Sequence, residues 1–122
     1  MNEETVPTPL SSAGRKAWRA LYEAHALVTR RIERDLTAIG GGSLSDYGVL
    51  FTLSNAPGGR VRLSELADAA MMSRSGATRL VNRLEEGGFL ERIACDTDKR
   101  GMFAVLTEAG RGEMRRIWAV YS

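Results

Sequence analysis

One stretch of the sequence, RSGATRLVNRLEEGG at positions 74–88, separates hydrogen-bonding side chains from apolar ones when it is drawn as a helix. Its apolar face carries Ala77, Leu80, Val81 and Leu84. The opposite face offers arginines, hydroxyls and an amide, which are the groups that bind the base edges and phosphates of duplex DNA. Together with the serine that precedes the helix, the candidate DNA-binding residues are Ser73, Arg74, Ser75, Thr78, Arg79, Asn82 and Arg83.

The alternative to DNA binding is that this face is simply exposed to solvent, because polar residues commonly form a solvated helix face. Arg83, near the helix end, can instead bridge to an acidic residue such as Asp96. DNA contact is favoured because positions 74–84 hold three arginines and no acidic residue. A shorter helix, SELADAA, also precedes this one through a tight turn at Met71-Met72, and such a pair forms a helix-turn-helix. Ser64 and Ser73 are the predicted N-caps of the two helices.

The segments that follow, Phe89–Ala94 and Met102–Leu106, predict a β-hairpin whose loop is CDTDKRG. A hairpin directly after a helix-turn-helix is a wing, and its tip would reach the minor groove, where arginine is favoured. Asp98 and Arg100 are two residues apart, so in an extended backbone the carboxylate can orient the guanidinium, while Lys99 points toward phosphate. The alternative is a solvated loop.

Three further helices complete the predicted fold, which is mainly α (α+β) with one small β-hairpin wing. The first runs from Ser11 to Ile39, about 43 Å, and is long enough for part of it to pack outside the domain's own core. The second is capped by Ser45 and the last by Thr107. Apolar stripes on the first and last helices predict a dimer interface, formed by Trp18, Met114, Ile117, Trp118 and Tyr121.

Composition excludes several classes of protein. The 122 residues fit one domain, and a formal charge of +2 permits nucleic-acid binding without requiring it. No apolar run is long enough to span a membrane, and the acidic, proline-containing N-terminus does not resemble a signal peptide. One cysteine excludes an internal disulfide framework and predicts a cytoplasmic location. Because no metal cluster, nucleophile–base pair or phosphate loop is evident, we expect neither an enzyme nor a cofactor.

Several segments together resemble the MarR (multiple antibiotic resistance regulator) family of bacterial transcription factors. They are LSELADAA, SRSGATRLVNRLEEGGFLER, the wing CDTDKRG with its D-x-R element at 98–100, and LTEAGR at the start of the last helix. The resemblance covers about 100 residues from Trp18 onward and is specific because the segments occur together at family spacing.

The resemblance implies a homodimer that binds a pseudopalindromic operator in double-stranded DNA, as a repressor released by a small aromatic or phenolic effector. The sequence itself predicts a flexible tail at 1–10. The resemblance implies dimerisation helices at 11–39 and 107–122 and a winged helix-turn-helix lobe at 44–106. Members of the family usually continue through a longer final helix and another after it, which puts the mode of dimerisation in question. The candidate effector-binding residues are Trp18, Tyr22, His25 and Met71.

Plainer roles compete with these assignments. The effector candidates are more simply core or dimer packing, and His25 in particular is expected to be packed and hydrogen-bonded. Cys95 suggests a redox sensor, but the adjacent Asp96 disfavours the thiolate that a sensor needs. At the level of function, the alternative is a winged-helix protein-interaction module without specific DNA binding, because fold alone does not fix function.

Overall fold

The computed structural model describes residues 7–94 and 101–122 of the chain. Its helices are α1 (Ser12–Ala38), α2 (Leu44–Asn55), α3 (Leu63–Ala69), α4 (Arg74–Glu86) and α5 (Glu108–Tyr121), with one 3₁₀ turn at Pro57–Gly59. Its strands are β1 (Arg60–Arg62), β2 (Leu90–Ala94) and β3 (Met102–Leu106). The predicted mainly α architecture, with a helix-turn-helix and a β-hairpin, is confirmed. In the described ranges, no helix is both long and apolar enough to cross a membrane.

The chain divides into two compact units, one ending at Arg31 and the other running from Ile32 to Ser122. In the first unit, α1 begins where the Ser11 hydroxyl accepts a hydrogen bond from the Gly14 N–H at 3.1 Å. The side chains of Trp18 and Tyr22 are 60% and 56% exposed. His25, expected to be packed, is also exposed, so that expectation is wrong for the single chain.

The start of α2 differs from the prediction by two residues. Ser43, rather than Ser45, is the N-cap, and its hydroxyl accepts the Asp46 N–H while the Asp46 carboxylate accepts the Ser43 N–H. This reciprocal capping box satisfies two helix-end donors at once, which a cap at Ser45 could not do. Ser64 is likewise not a cap, because α3 already begins at Leu63 and its N-cap, Arg62, makes no side-chain hydrogen bond.

The core of the second unit forms where α2, α3 and α4 pack against the inner face of the sheet. Its fully buried members are leucines and small residues, among them Leu50, Leu53, Leu66, Leu84, Leu90 and Ala104. The strand order is β1-β3-β2, all antiparallel, so β1 adds a third strand beside the predicted hairpin. Ile117 is completely buried in the single chain. It therefore does not face outward, as its assignment to the dimer interface required.

Two contacts fix the start of α5 to the short segment between α4 and β2. The Thr107 hydroxyl caps α5, as predicted, and also donates to the Gly88 carbonyl oxygen at 2.7 Å. Gly110 lies directly on the backbone of Phe89, where a Cβ on Gly110 would overlap the Phe89 carbonyl oxygen. The glycine is therefore required by a close approach of two backbone segments.

Carboxylates hold the connector between α1 and α2. Glu33 accepts the Leu44 N–H at 2.8 Å, and Glu113 of α5 accepts the Gly42 N–H at 2.9 Å. Arg116 of α5 donates to the Ile39 carbonyl oxygen. Residues from α5 thus fix the backbone that leads into α2, which in turn packs against α4.

Candidate DNA-binding surface

Helix α4 divides into the two faces that its sequence predicts. Its apolar residues are buried, whereas all the candidate contact residues are exposed: Ser73, Arg74, Ser75, Thr78, Arg79, Asn82 and Arg83. Burial of the apolar face against the core fixes the axis of α4 and leaves its polar face available to a partner. Contact of this face with DNA stays a prediction.

Hydroxyl groups at the N-terminal end of α4 already form hydrogen bonds with the backbone of the helix. Ser73 caps the helix by accepting the Gly76 N–H at 3.1 Å. Thr78 donates its hydroxyl proton to the Arg74 carbonyl oxygen at 3.0 Å. Thr78 is therefore left with acceptor lone pairs and a methyl group, which suits an amino group on a base edge or a thymine methyl.

Arg83 forms an ion pair with Asp46 of α2. The alternative partner considered for Arg83, Asp96, lies outside the described residues. Asp46 is only 6% exposed and belongs to the α2 capping box, so the interaction joins α4 to the start of α2. The sequence contains a signal for the capping role of Asp46, because Ser43 and Asp46 have the spacing of a capping box.

We expect Asp46→Ala to lower the free energy of unfolding by about 2 kcal/mol, because it removes a capping-box acceptor and a partly exposed ion pair. Urea denaturation monitored by circular dichroism would measure the change. Ser45→Ala is the matched control, since Ser45 is exposed in the same turn and its side chain makes no hydrogen bond within the described ranges. Equal stability of the two variants would contradict the role assigned to Asp46.

Arg92 of β2 extends the candidate surface and was not singled out in the sequence. It donates to the Asn82 Oδ1 atom at 2.5 Å and to the Glu85 Oε1 atom at 2.6 Å. Glu85 also accepts the backbone N–H of Arg92 at 3.2 Å. The guanidinium of Arg92 thus holds the side chains of Asn82 and Glu85, which lie three residues apart on α4.

The arginines around α4 fall into two groups. Arg83 and Arg92 are neutralised by Asp46 and Glu85. Arg74 and Arg79 are exposed and form no ion pair with any residue in the described ranges. Unpaired positive charge on the exposed face therefore comes from Arg74 and Arg79.

The sheet of the wing supports the hairpin prediction as far as it is described. Strands β2 and β3 pair in register from Leu90↔Leu106 to Ala94↔Met102. On the outer face, the guanidinium carbons of Arg60 and Arg62 lie 4.8 and 5.7 Å from the ring centre of Phe103, within cation–π distance. The predicted wing-tip contacts Asp98, Lys99 and Arg100, and the candidate sensor Cys95, lie outside the described residues.

A separate feature of the second unit is a groove of about 580 Å³ between α2 and α5. Its lining consists of Tyr47, Phe51, Ser54, Met114, Arg115, Trp118 and Tyr121. The Tyr47 ring centre lies 5.6 Å from that of Phe51, 6.1 Å from Trp118 and 5.4 Å from Tyr121. Burial, and then the neighbouring Tyr121, raise the pKa of the Tyr47 hydroxyl above its ordinary value.

This groove differs from the predicted effector site. Met71 does not line it, and is instead 93% exposed with a positive φ of 55° at the turn before α4. Trp118 and Tyr121, predicted to lie at a dimer interface, are half-exposed beside the groove. The sequence analysis did not identify Tyr47 and Phe51 as groove residues, although their spacing of four on α2 places them on one helix face. Within the described ranges, no cluster of side chains could hold a metal ion.

Comparison with known proteins gives consistent matches. Residues 41–101 match the sequence model of the MarR family. The transcriptional repressor MprA of Escherichia coli K12 is 37% identical over 71 residues, which are 58% of this chain and 40% of MprA. The chain thus aligns with less than half the length of that curated relative.

Two crystal structures from Streptomyces coelicolor cover more of the chain. AbsC, a MarR family transcriptional regulator, is 36% identical, with a TM-score of 0.79 over 94% of this chain and 77% of AbsC. Sco3205, a MarR family transcriptional regulator solved in complex with DNA, is also 36% identical. Its TM-score is 0.80, over 94% of this chain and 72% of Sco3205.

Proposed function

The chain belongs to the MarR family, and on that basis we propose that it is a sequence-specific DNA-binding transcriptional regulator that acts as a homodimer in the cytoplasm. The observation that carries the proposal is the exposed face of α4. It combines two unpaired arginines, Arg74 and Arg79, with hydroxyl and amide groups, on a helix held rigidly by its buried face. The named relatives are regulators, and we propose no catalytic activity.

The proposed mode of binding places α4 in the major groove. Its N-terminal half carries Arg74, Ser75, Thr78 and Arg79 toward base edges and phosphates, as the second helix of a helix-turn-helix does. The wing tip, with Lys99 and Arg100, would contact the backbone and neighbouring minor groove. Sco3205 supports this proposal as a relative whose structure was determined with DNA.

Selection of bound sites from a random duplex pool tests this function. A two-fold dimer carries two equivalent copies of α4, so we expect an inverted repeat with half-site centres about 10 bp apart. Arg74→Ala/Arg79→Ala protein is the matched comparison and should enrich no sequence. Recovery of unrelated sequences by the unaltered chain would instead favour the protein-interaction alternative.

The proposed dimer uses the first and last helices, where Trp18, Trp118 and Tyr121 expose large aromatic surfaces. Met114 of the last helix is partly buried against the core of its own chain. Exposed aromatic residues tend to anchor interfaces. Ile117 is no longer included, because it is buried within its own chain.

We also propose that the regulator is a repressor whose operator affinity falls when a small aromatic ligand binds. The groove between α2 and α5 supports this, since stacked rings of Tyr47, Phe51 and Trp118 suit an aromatic ligand and Arg115 suits a carboxylate. MprA, to which the chain is similar, is itself named as a repressor. Trp18, Tyr22 and His25 remain effector candidates only by prediction.

A further inference from the structure

The side-chain amide of Asn82 is held in one orientation by Arg92. A guanidinium has only donors, so the atom it contacts at 2.5 Å must be the amide oxygen, Oδ1, and not the amide nitrogen. Arg92 is itself fixed, because Glu85 binds both its guanidinium, at 2.6 Å, and its backbone N–H, at 3.2 Å. The Arg92 side chain is only 28% exposed, whereas Asn82 is exposed.

This orientation decides what Asn82 offers to a base. A freely rotating asparagine can present either its acceptor oxygen or its donor nitrogen, and it can use both ends together on adenine. Here Oδ1 already accepts from a charged donor at one of its two lone pairs. The Nδ2 group, which keeps both of its protons, is therefore the more available end. A donor matches the acceptors of the major groove, namely guanine O6 and N7, adenine N7 and thymine O4. It does not match cytosine, whose N4 amino group is itself a donor.

We propose that Arg92 is a positioning residue for sequence recognition: it makes Asn82 a hydrogen-bond donor, so that the base contacted by Asn82 is any base except cytosine. This rests on the proposed function, because it requires α4 to enter the major groove. The interaction adds orientation without adding charge, since Glu85 neutralises Arg92. Asn82 then contributes exclusion of one base. A bidentate contact with adenine would require the same Oδ1 atom to accept a second donor while the amide keeps the orientation that Arg92 gives it.

The test must separate orientation from charge. Arg92→Met/Glu85→Gln removes one positive and one negative charge, so the net charge of the surface does not change. Arg92→Lys is the second variant. It keeps the charge and can still pair with Glu85, but one ammonium group cannot reproduce the fork that holds Glu85 and Asn82 together. Glu86→Gln is the control, because Glu86 is exposed one residue further along α4.

Each full-length protein would be used to select sites from a random duplex pool, with melting temperature measured to confirm folding. Asn82→Ala identifies the base position that Asn82 contacts, because the base preference at that position should disappear. At that position we expect cytosine to be depleted about fivefold for the unaltered chain and for Glu86→Gln, which corresponds to one hydrogen bond. The depletion should vanish for Arg92→Met/Glu85→Gln and for Arg92→Lys, with other positions unchanged.

Three results would overturn the inference. One is cytosine depletion that persists in whichever Arg92 variants fold, and another is an Asn82→Ala protein that alters no base position. A uniform loss of preference at every position in the Arg92 variants would show a structural role only. If the unaltered chain enriches no sequence at all, the proposed function fails as well, so the two failures are distinguishable.

Discussion

Replacing Gly110 by alanine is expected to destabilise the fold by about 3 kcal/mol, the upper end of what overpacking a core position costs. The added Cβ would overlap the Phe89 carbonyl oxygen and lie 2.7 Å from the Cδ1 atom of Leu106. The backbone cannot move aside as a flexible side chain can. Either α5 or the segment between α4 and β2, which contains Phe89, must therefore shift. Urea denaturation would measure the loss.

Gly112→Ala is the matched control for this substitution. Gly112 lies two residues further along α5, and the nearest atom to its added Cβ is an Arg115 side-chain nitrogen at 3.9 Å. With space available, alanine should stabilise the helix by about 0.5–1 kcal/mol, because glycine loses more backbone entropy on folding. If both variants shift stability in the same direction, the close approach of Gly110 to Phe89 is not the cause.

Removing Arg79 is expected to give the largest single loss of DNA affinity, about 1–3 kcal/mol for each half-site. Arg79 is exposed in the middle of α4, and no acidic residue in the described part of the chain neutralises it. Fluorescence anisotropy on the selected operator, at several salt concentrations, would report both affinity and the number of phosphate contacts.

A second arginine variant controls for the loss of charge in that experiment. Arg111→Ala also removes one positive charge, but Arg111 belongs to α5 and pairs with Glu108 at 3.6 Å. We expect its affinity to stay within about twofold of the unaltered chain, since a charge away from the contact surface acts only through a screened field. Equal losses for Arg79→Ala and Arg111→Ala would mean that net charge alone drives binding.

Features set by neighbouring residues could be predicted from the sequence. The two faces of α4 follow from helical periodicity, and the caps Ser73 and Thr107 follow from local side-chain chemistry. The hairpin strands β2 and β3 were also predicted, with β3 at its observed bounds. The cap of α2 was misplaced because two serines, Ser43 and Ser45, lie two residues apart just before the apolar face of the helix. Only the capping-box partner at Asp46 distinguishes Ser43 as the cap.

Features that join distant segments could not be predicted. Arg83 and Asp46 are 37 residues apart, and nothing in either local sequence identifies the other as its partner. An amphipathic stripe shows which residues avoid water but not what covers them, so Ile117 was assigned to a partner chain when its own chain buries it. The groove likewise requires Tyr47 from α2 to meet Trp118 from α5.

The division of the arginines into paired and unpaired groups also bears on how such a surface can evolve. Arg74 and Arg79 depend on no described acidic partner, so each can be exchanged alone, and operator preference can drift by single substitutions. Arg83 forms an ion pair with Asp46, and Arg92 forms one with Glu85. Loss of either arginine leaves its carboxylate unpaired, and the carboxylate of Asp46 is buried. Change at those positions therefore requires coordinated double substitutions. The surface thus contains positions where a single substitution changes DNA contact without leaving a carboxylate unpaired, beside positions that change only in pairs. The contribution of Asn82 should be the slowest to diverge.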